Sequence, residues 1–349
     1  MNLLAKPLWR VVAGSSLLIL FLVLEGCYYL QAVRGQADLM HRRRPVADVI
    51  ADDGEPEALR GKLKLVEAAR DFAVAELKLP DNQSYRSYAD LEREFVVWNV
   101  FAAPEFSLQP KTWCFPVAGC VAYRGYFKEE AARKYAAKLE SQGYDVAVGG
   151  VPAYSTLGRF ADPVLNTMLR WSDVDLVATI FHELAHQKLY IKGDSTFNES
   201  FASAVAVIGM RRWLAKTGQP GRFEAYSGRN ALRDSLMELV RTARDTLREL
   251  YASDQDTLSK RRQKRAILDA LSASAQARID ANGGGSSWLA PPLNNARLAS
   301  LALYDGRLDA FLAIFAECDE DLDCFYARAE SLANSDEAER NRVLDALSD

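Results

Sequence analysis

The chain has 349 residues, 49% of them apolar and 26% charged, with a formal net charge of −4. That composition supplies a packed core and excludes a disordered chain, and the mild acidity gives no charge basis for a nucleic-acid partner. The short basic runs 41–44 and 260–265 fit solvated helix faces. In chain order, Lys6 and Arg10 flank the start of an uncharged apolar run over 11–24, the plan of an export signal. As a helix this run reaches about 21 Å, short of a hydrocarbon core of about 30 Å, so a membrane-spanning helix is the weaker reading. Helical periodicity marks 57–79, and an acidic, aromatic stretch over 88–102 is expected to form another helix. A β-rich run over 120–127 precedes an amphipathic helix that stops at Gly143, followed by strands within 144–158. The next helix starts after Ser172, with Asp173 and Asp175 in its first turn, and runs to about residue 191 before Gly193. Two long helices over 230–252 and 259–280 lead into a mostly helical C-terminal part, interrupted by a glycine-rich break over 282–298. The fold class expected is α+β, predominantly helical, with a small mixed sheet.

Two of the three histidines stand in HELAH, residues 182–186. On a helix, His182 and His186 share one face, and Glu183 is offset so that it reaches a water on the metal rather than the metal itself. Leu176, Val177, Ile180, Phe181, Leu184 and Ala185 make the other faces apolar, so the helix can be buried with its histidines opening onto a cleft. This pattern calls for one zinc ion, and a catalytic zinc takes three protein ligands. A third histidine six residues past the second is ruled out by Lys192. Asp194 is one candidate for the third ligand. Glu199 is the other, in NESFA (198–202), which resembles the glutamate helix of gluzincin metallopeptidases. The competing reading of Thr196–Glu199 is a capping box, with the glutamate turned onto its own helix start.

LEGC (24–27) resembles the lipobox of bacterial lipoproteins, with Glu25 in place of the usual small residue. That resemblance makes Cys27 the lipid-bearing residue and the partner a membrane. Tyr28 after the cysteine points to the outer membrane, facing the periplasm. Setting Cys27 aside leaves Cys114, Cys120, Cys318 and Cys324, an even number suited to disulfides in an oxidising compartment. Sequence does not fix their connectivity; the local pairings 114–120 and 318–324 are favoured because each closes within its own segment.

The blocks WCFPVAGCVAYRGYF (113–127), AYSTLGRFADPVLNTML (153–169), HELAHQ, FNESFA and NNARLASLALY (294–304) together resemble the bacterial putative aminopeptidases, exported lipoproteins of zincin type, over nearly the whole chain. The resemblance implies a signal peptide over 1–26 and a lipid-anchored helical region over 27–110. A zincin-like core then spans 111–218, and a helical region over 219–349 packs on it. It implies peptide hydrolysis, with zinc held by His182, His186 and Glu199 and with Glu183 as general base. Tyr304 and then Tyr154 are the expected oxyanion donors. Residues 153–158 are the expected sheet edge for an extended peptide substrate. Glu224, Asp305 and Asn295 are possible holders of a substrate α-amine. The alternatives are a zinc endopeptidase acting on envelope proteins or peptidoglycan peptides, and a non-enzymatic lipoprotein with a structural metal.

Overall fold

The computed structural model describes residues 28–115, 119–153, 155–284, 293–302 and 307–347. Cys27, Tyr154, Tyr304 and Asp305 lie outside these residues. The fold is α+β, mostly helical with small sheets. No helix among the described residues is long and apolar enough to cross a membrane.

Helix α1 covers residues 28–41, followed by β1 (Arg44–Pro45), α2 (Val46–Ala51) and α3 (Glu57–Ala75). The stretch expected as a helix over 88–102 instead contributes β2 (Ser87–Ala89) and most of β3 (Val97–Pro104). Val97, Trp98, Val100 and Phe101 have the branched and aromatic side chains that suit a pleated surface. They are held there by partners remote in sequence, β6 (Arg124–Tyr126) on one side and β7 (Tyr144–Val151) on the other, both antiparallel. Stretches on either side of residue 110 therefore share one sheet. Helix α4 (Glu129–Glu140) covers it, burying Ala132, Ala136 and Leu139 with Val100, Ala102 and Tyr126. β4 (Trp113–Phe115) and β5 (Gly119–Val121) form a separate ladder in which Cys114 faces Cys120 and is bonded to it.

β7 stops at Val151, so the strand expectation for 153–158 is not met among the described residues. Ser155 and Thr156 instead turn their hydroxyls onto Asp162, and such local side-chain bonds compete with ladder formation. β8 (Val164–Leu165) then runs parallel to β2, whose other neighbour is β1.

The main core lies around α5 (Asp173–Lys188) and α6 (Ser195–Lys216), packed with α3, α10 (Leu308–Glu317) and α11 (Leu322–Asn334). Leu176, Val177, Ile180, Phe181, Leu184 and Ala185 are all fully buried, as the apolar faces of α5 require. At Gly209 of α6 a Cβ would come within 2.7 Å of both Phe181 and Leu77, so the absent side chain sets how closely α6 approaches. Cys318, capping α10, and Cys324, on α11, form the second disulfide.

Helices α7 (Gly221–Ala252) and α8 (Thr257–Ala281) pair through a separate apolar cluster that includes Leu236, Val240, Leu247, Leu268 and Leu271. They are joined to the sheet by a buried polar tie. Lys264 donates to Asp145 at 2.6 Å, and Asn295, fully buried at the start of α9 (Asn295–Ala302), donates to the carbonyls of Pro104 and Glu105. The chain closes with α12 (Glu337–Ala346).

Candidate metal centre

Two helices and their connection assemble the centre. Ser172 caps α5, accepting from Asp175 N at 3.2 Å, and Asp173 and Asp175 lie at the positive end of the helix dipole. With the helix so started, His182 and His186 fall one turn apart with their Nε2 atoms 3.1 Å from each other. Glu199, in the second turn of α6, brings Oε2 to 3.3 Å from His182 Nε2 and Oε1 to 3.6 Å from His186 Nε2.

One donor atom from each of the three residues falls within a 4.8 Å group. Tetrahedral zinc with bonds of about 2.0–2.1 Å needs ligand atoms about 3.3 Å apart. The observed separations match that edge, and two imidazoles with one carboxylate are the donor set a catalytic zinc takes.

The capping-box alternative is not what forms. The N-cap of α6 is Asp194, which accepts from Phe197 N at 2.9 Å, and Thr196 lies inside the helix with its carbonyl taken by Ser200. Asp194 is further held by Arg340 at 2.9 Å, which leaves it engaged away from the histidines. The turn between α5 and α6 is pinned by Asn198, so both the approach to Glu199 and its orientation are fixed.

The charges follow from burial. Burial pushes the Glu183 carboxyl up to about 7; His182 opposes the rise, while the Glu199 and Asp162 carboxylates add to it. Burial pulls His186 down to about 4, and its buried Nδ1 has no hydrogen-bond partner among the described residues. At His182 burial works downward, but the Glu199 hydrogen bond and charge outweigh it and the net shift is upward. Burial raises Glu199, yet His182 and His186 hold it below its ordinary value. From α7, Arg233 adds positive potential at both His182 and Glu199.

The parallel pairing of β2 with β8 brings a second group of residues to Glu183. Just ahead of those strands, Tyr85 N donates to Asp162 O at 2.6 Å. Asp162, only 1% exposed, accepts from Thr156 N and Oγ1, both at 2.8 Å, and from the Ser155 hydroxyl at 3.4 Å. The Ser155 hydroxyl also lies close to the Glu183 carboxyl. Tyr85 is buried beside Glu183 with its backbone at φ +62°, a region costly for a side-chain-bearing residue. That loop is held by Arg70, fully buried, which donates to the carbonyls of Ser84 (3.1 Å), Pro80 (2.7 Å) and Asn82 (3.1 Å). Asn82 in turn donates to Gln187, one residue past His186, at 2.7 Å.

Sequence reasoning named His182, Glu183, His186 and Glu199, and the fold gathers all four. It did not single out Tyr85, Asp162, Tyr190 or Arg233, and it held Ser155 only as part of the expected sheet edge 153–158. Tyr190 lies next to His186, with ring centroids 6.4 Å apart, and burial raises its hydroxyl pKa. Of the residues considered for a substrate amine, Asn295 is consumed by its backbone bonds and Glu224 lies exposed on α7.

No curated protein and no solved structure matches the chain. The family model described as "Putative aminopeptidase" matches residues 27–344, nearly the whole length, and the chain belongs to that family.

Proposed function

We propose that the protein is a zinc-dependent peptidase, acting as an aminopeptidase and anchored through a lipid on Cys27 to the outer membrane, facing the periplasm. One observation carries the zinc-peptidase part: the convergence of His182, His186 and Glu199 within 4.8 Å, with a second carboxylate, Glu183, beside them. Zinc held there would lower the pKa of water and polarise a peptide carbonyl. Glu183 takes the proton of the attacking water and passes it to the leaving amine. Its raised affinity for a proton suits both transfers. Ser155, whose hydroxyl lies close to the Glu183 carboxyl, is placed to orient it, and Asp162 holds the turn that carries Ser155. Tyr304 and Tyr154 stay in the proposal as oxyanion donors on the family resemblance, and the position of Tyr190 beside His186 adds it to that set.

The endopeptidase reading has one observation in its favour. The positive potential of Arg233 at the metal ligands disfavours a free substrate ammonium on the α7 side of the site. Metal analysis combined with a peptide-library digest tests both readings. Stoichiometric zinc with cleavage of free but not N-acetylated peptides supports the aminopeptidase. Cleavage of both kinds at internal bonds supports the endopeptidase, and zinc without any cleavage leaves a structural metal.

A further inference from the structure

Helix α1 has two unlike faces. Its inward face is fastened to the protein: the Tyr28 ring stacks on Phe115 at 5.5 Å and meets Tyr126 edge-on at 5.7 Å. The Arg124 guanidinium sits 4.0 Å from the Tyr28 ring centroid. One turn on, Gln31 donates to Gly125 O at 3.4 Å and accepts from Phe127 N at 3.1 Å. Gly35 lies so close to Phe127 that a Cβ would come within 2.1 Å of the ring, and Leu39 is buried in the main core.

The outward face carries Tyr29, Leu30 and Val33, which are 39%, 48% and 64% exposed. They are three of the six large apolar side chains exposed among the described residues, so half of these side chains lie on little more than one helical turn. Exposed Ala37 extends the stripe at helical spacing, and exposed Arg34 lies beside it.

Single exposed apolar residues are ordinary, whereas a stripe at this position has a definite neighbour. The apolar run 11–24 and Cys27 precede it directly. At a helical rise of 1.5 Å per residue, Val33 lies about 8 Å along the axis from Tyr28, the residue that follows Cys27 in sequence. The bonds of the inward face keep α1 from swinging away from the sheet, so a bilayer holding residue 27 meets the outward face. We infer that the outward face of α1, built from Tyr29, Leu30, Val33 and Ala37, is a membrane-contact surface that beds into the headgroup layer of a phospholipid bilayer. This rests on the reading of Cys27 as the point of membrane attachment. Arg34 is the cation the surface offers to lipid phosphate.

The test uses the mature full-length protein in vesicles of phosphatidylethanolamine and phosphatidylglycerol. Cys114, Cys120, Cys318 and Cys324 are all in disulfides, so Val33→Cys offers one free thiol for a fluorescent label when Cys27 is acylated. Leu258→Cys, 68% exposed on α8, is the reference site. At a depth of about 5–10 Å, the label at 33 should be at least about fivefold less accessible to iodide than the label at 258, and should be quenched by nitroxide-bearing lipids. Equal iodide access at the two sites overturns the inference. Protection from iodide without lipid quenching also overturns it, because another copy or another segment then covers the stripe. The intact mass of the protein reports lipid on Cys27 separately. Acylated protein with a wet label at 33 refutes the contact surface alone; unacylated protein with a wet label refutes the anchor reading as well.

Discussion

Asn198 closes on Ile191 through both of its amide atoms: Ile191 N donates to Oδ1 at 2.8 Å, and Nδ2 donates to Ile191 O at 2.7 Å. Asn198 is 2% exposed, so nothing else replaces these bonds when they are lost. The pair sets the direction of the turn from α5 to α6, and with it where Glu199 meets the histidines. Asn198→Ala should cost about 2 kcal/mol of stability, the usual penalty for stranding buried polar groups. It should also weaken zinc binding about 10–100-fold, as loss of a supporting contact does. Chemical denaturation and competition against a zinc chelator measure the two effects; unchanged zinc affinity would remove Asn198 from the positioning of Glu199.

Asp194 and Glu199 should separate cleanly. Asp194→Asn keeps a good N-cap but takes the charge partner from Arg340, which is 7% exposed at its side chain and keeps its bond to the Ser335 carbonyl, and should destabilise by about 3 kcal/mol while retaining zinc. Glu199→Gln should lose zinc together with activity. The reverse pattern in metal analysis of the two variants would make Asp194 the ligand.

Arg70 acts on the site at one remove. Arg70→Ala unpairs the carbonyls of Pro80, Asn82 and Ser84 and should cost about 3 kcal/mol. Tyr85 beside Glu183 and Asn82 on Gln187 hang from that loop, so turnover should fall while bound zinc stays stoichiometric. Parallel loss of zinc and activity would mean that the loop supports the ligands instead.

Zinc uptake by metal-free Glu183→Gln protein, which lacks the second carboxyl that is itself pushed up to about 7, should displace about one proton near pH 6. His182 has its pKa raised, net of burial, by Glu199, so it is the imidazole that carries a proton as pH falls toward neutrality and below. His186 is held down to about 4 and Glu199 is lowered, so neither competes with the metal there. Affinity should therefore drop about tenfold per pH unit below the His182 pKa and level off above it. Calorimetry in buffers of different protonation enthalpy counts the protons; a count of two would contradict the assignment.

What was legible in the sequence was local. HELAH needs only the helical repeat to place two imidazoles on one face, and Ser172 and the first-turn acids mark where that helix starts. Glu199 was within reach because NESFA resembles the glutamate helix of gluzincins, and a short connection is enough to bring α6 back on α5. The residues around Glu183 were not legible, because Tyr85 and Ser155 meet through the pairing of β2 with β8, strands separated by more than seventy residues and carrying no short motif. β3 was missed for a related reason: its stretch lacks strict alternation, and β6 and β7 supply what makes it a strand. The N-cap at Asp194 was obscured by Thr196, which offers the same capping chemistry two residues later.

The most direct test of the central claim is Glu183→Gln, assayed for bound zinc and for peptide hydrolysis in the same preparation. The substitution keeps the side chain's shape and removes no metal ligand, so zinc should remain stoichiometric. Hydrolysis should fall at least about a hundredfold, the usual contribution of a general base. Full hydrolysis with zinc retained would contradict the account, leaving His182, His186 and Glu199 as a metal site whose chemistry does not pass through Glu183.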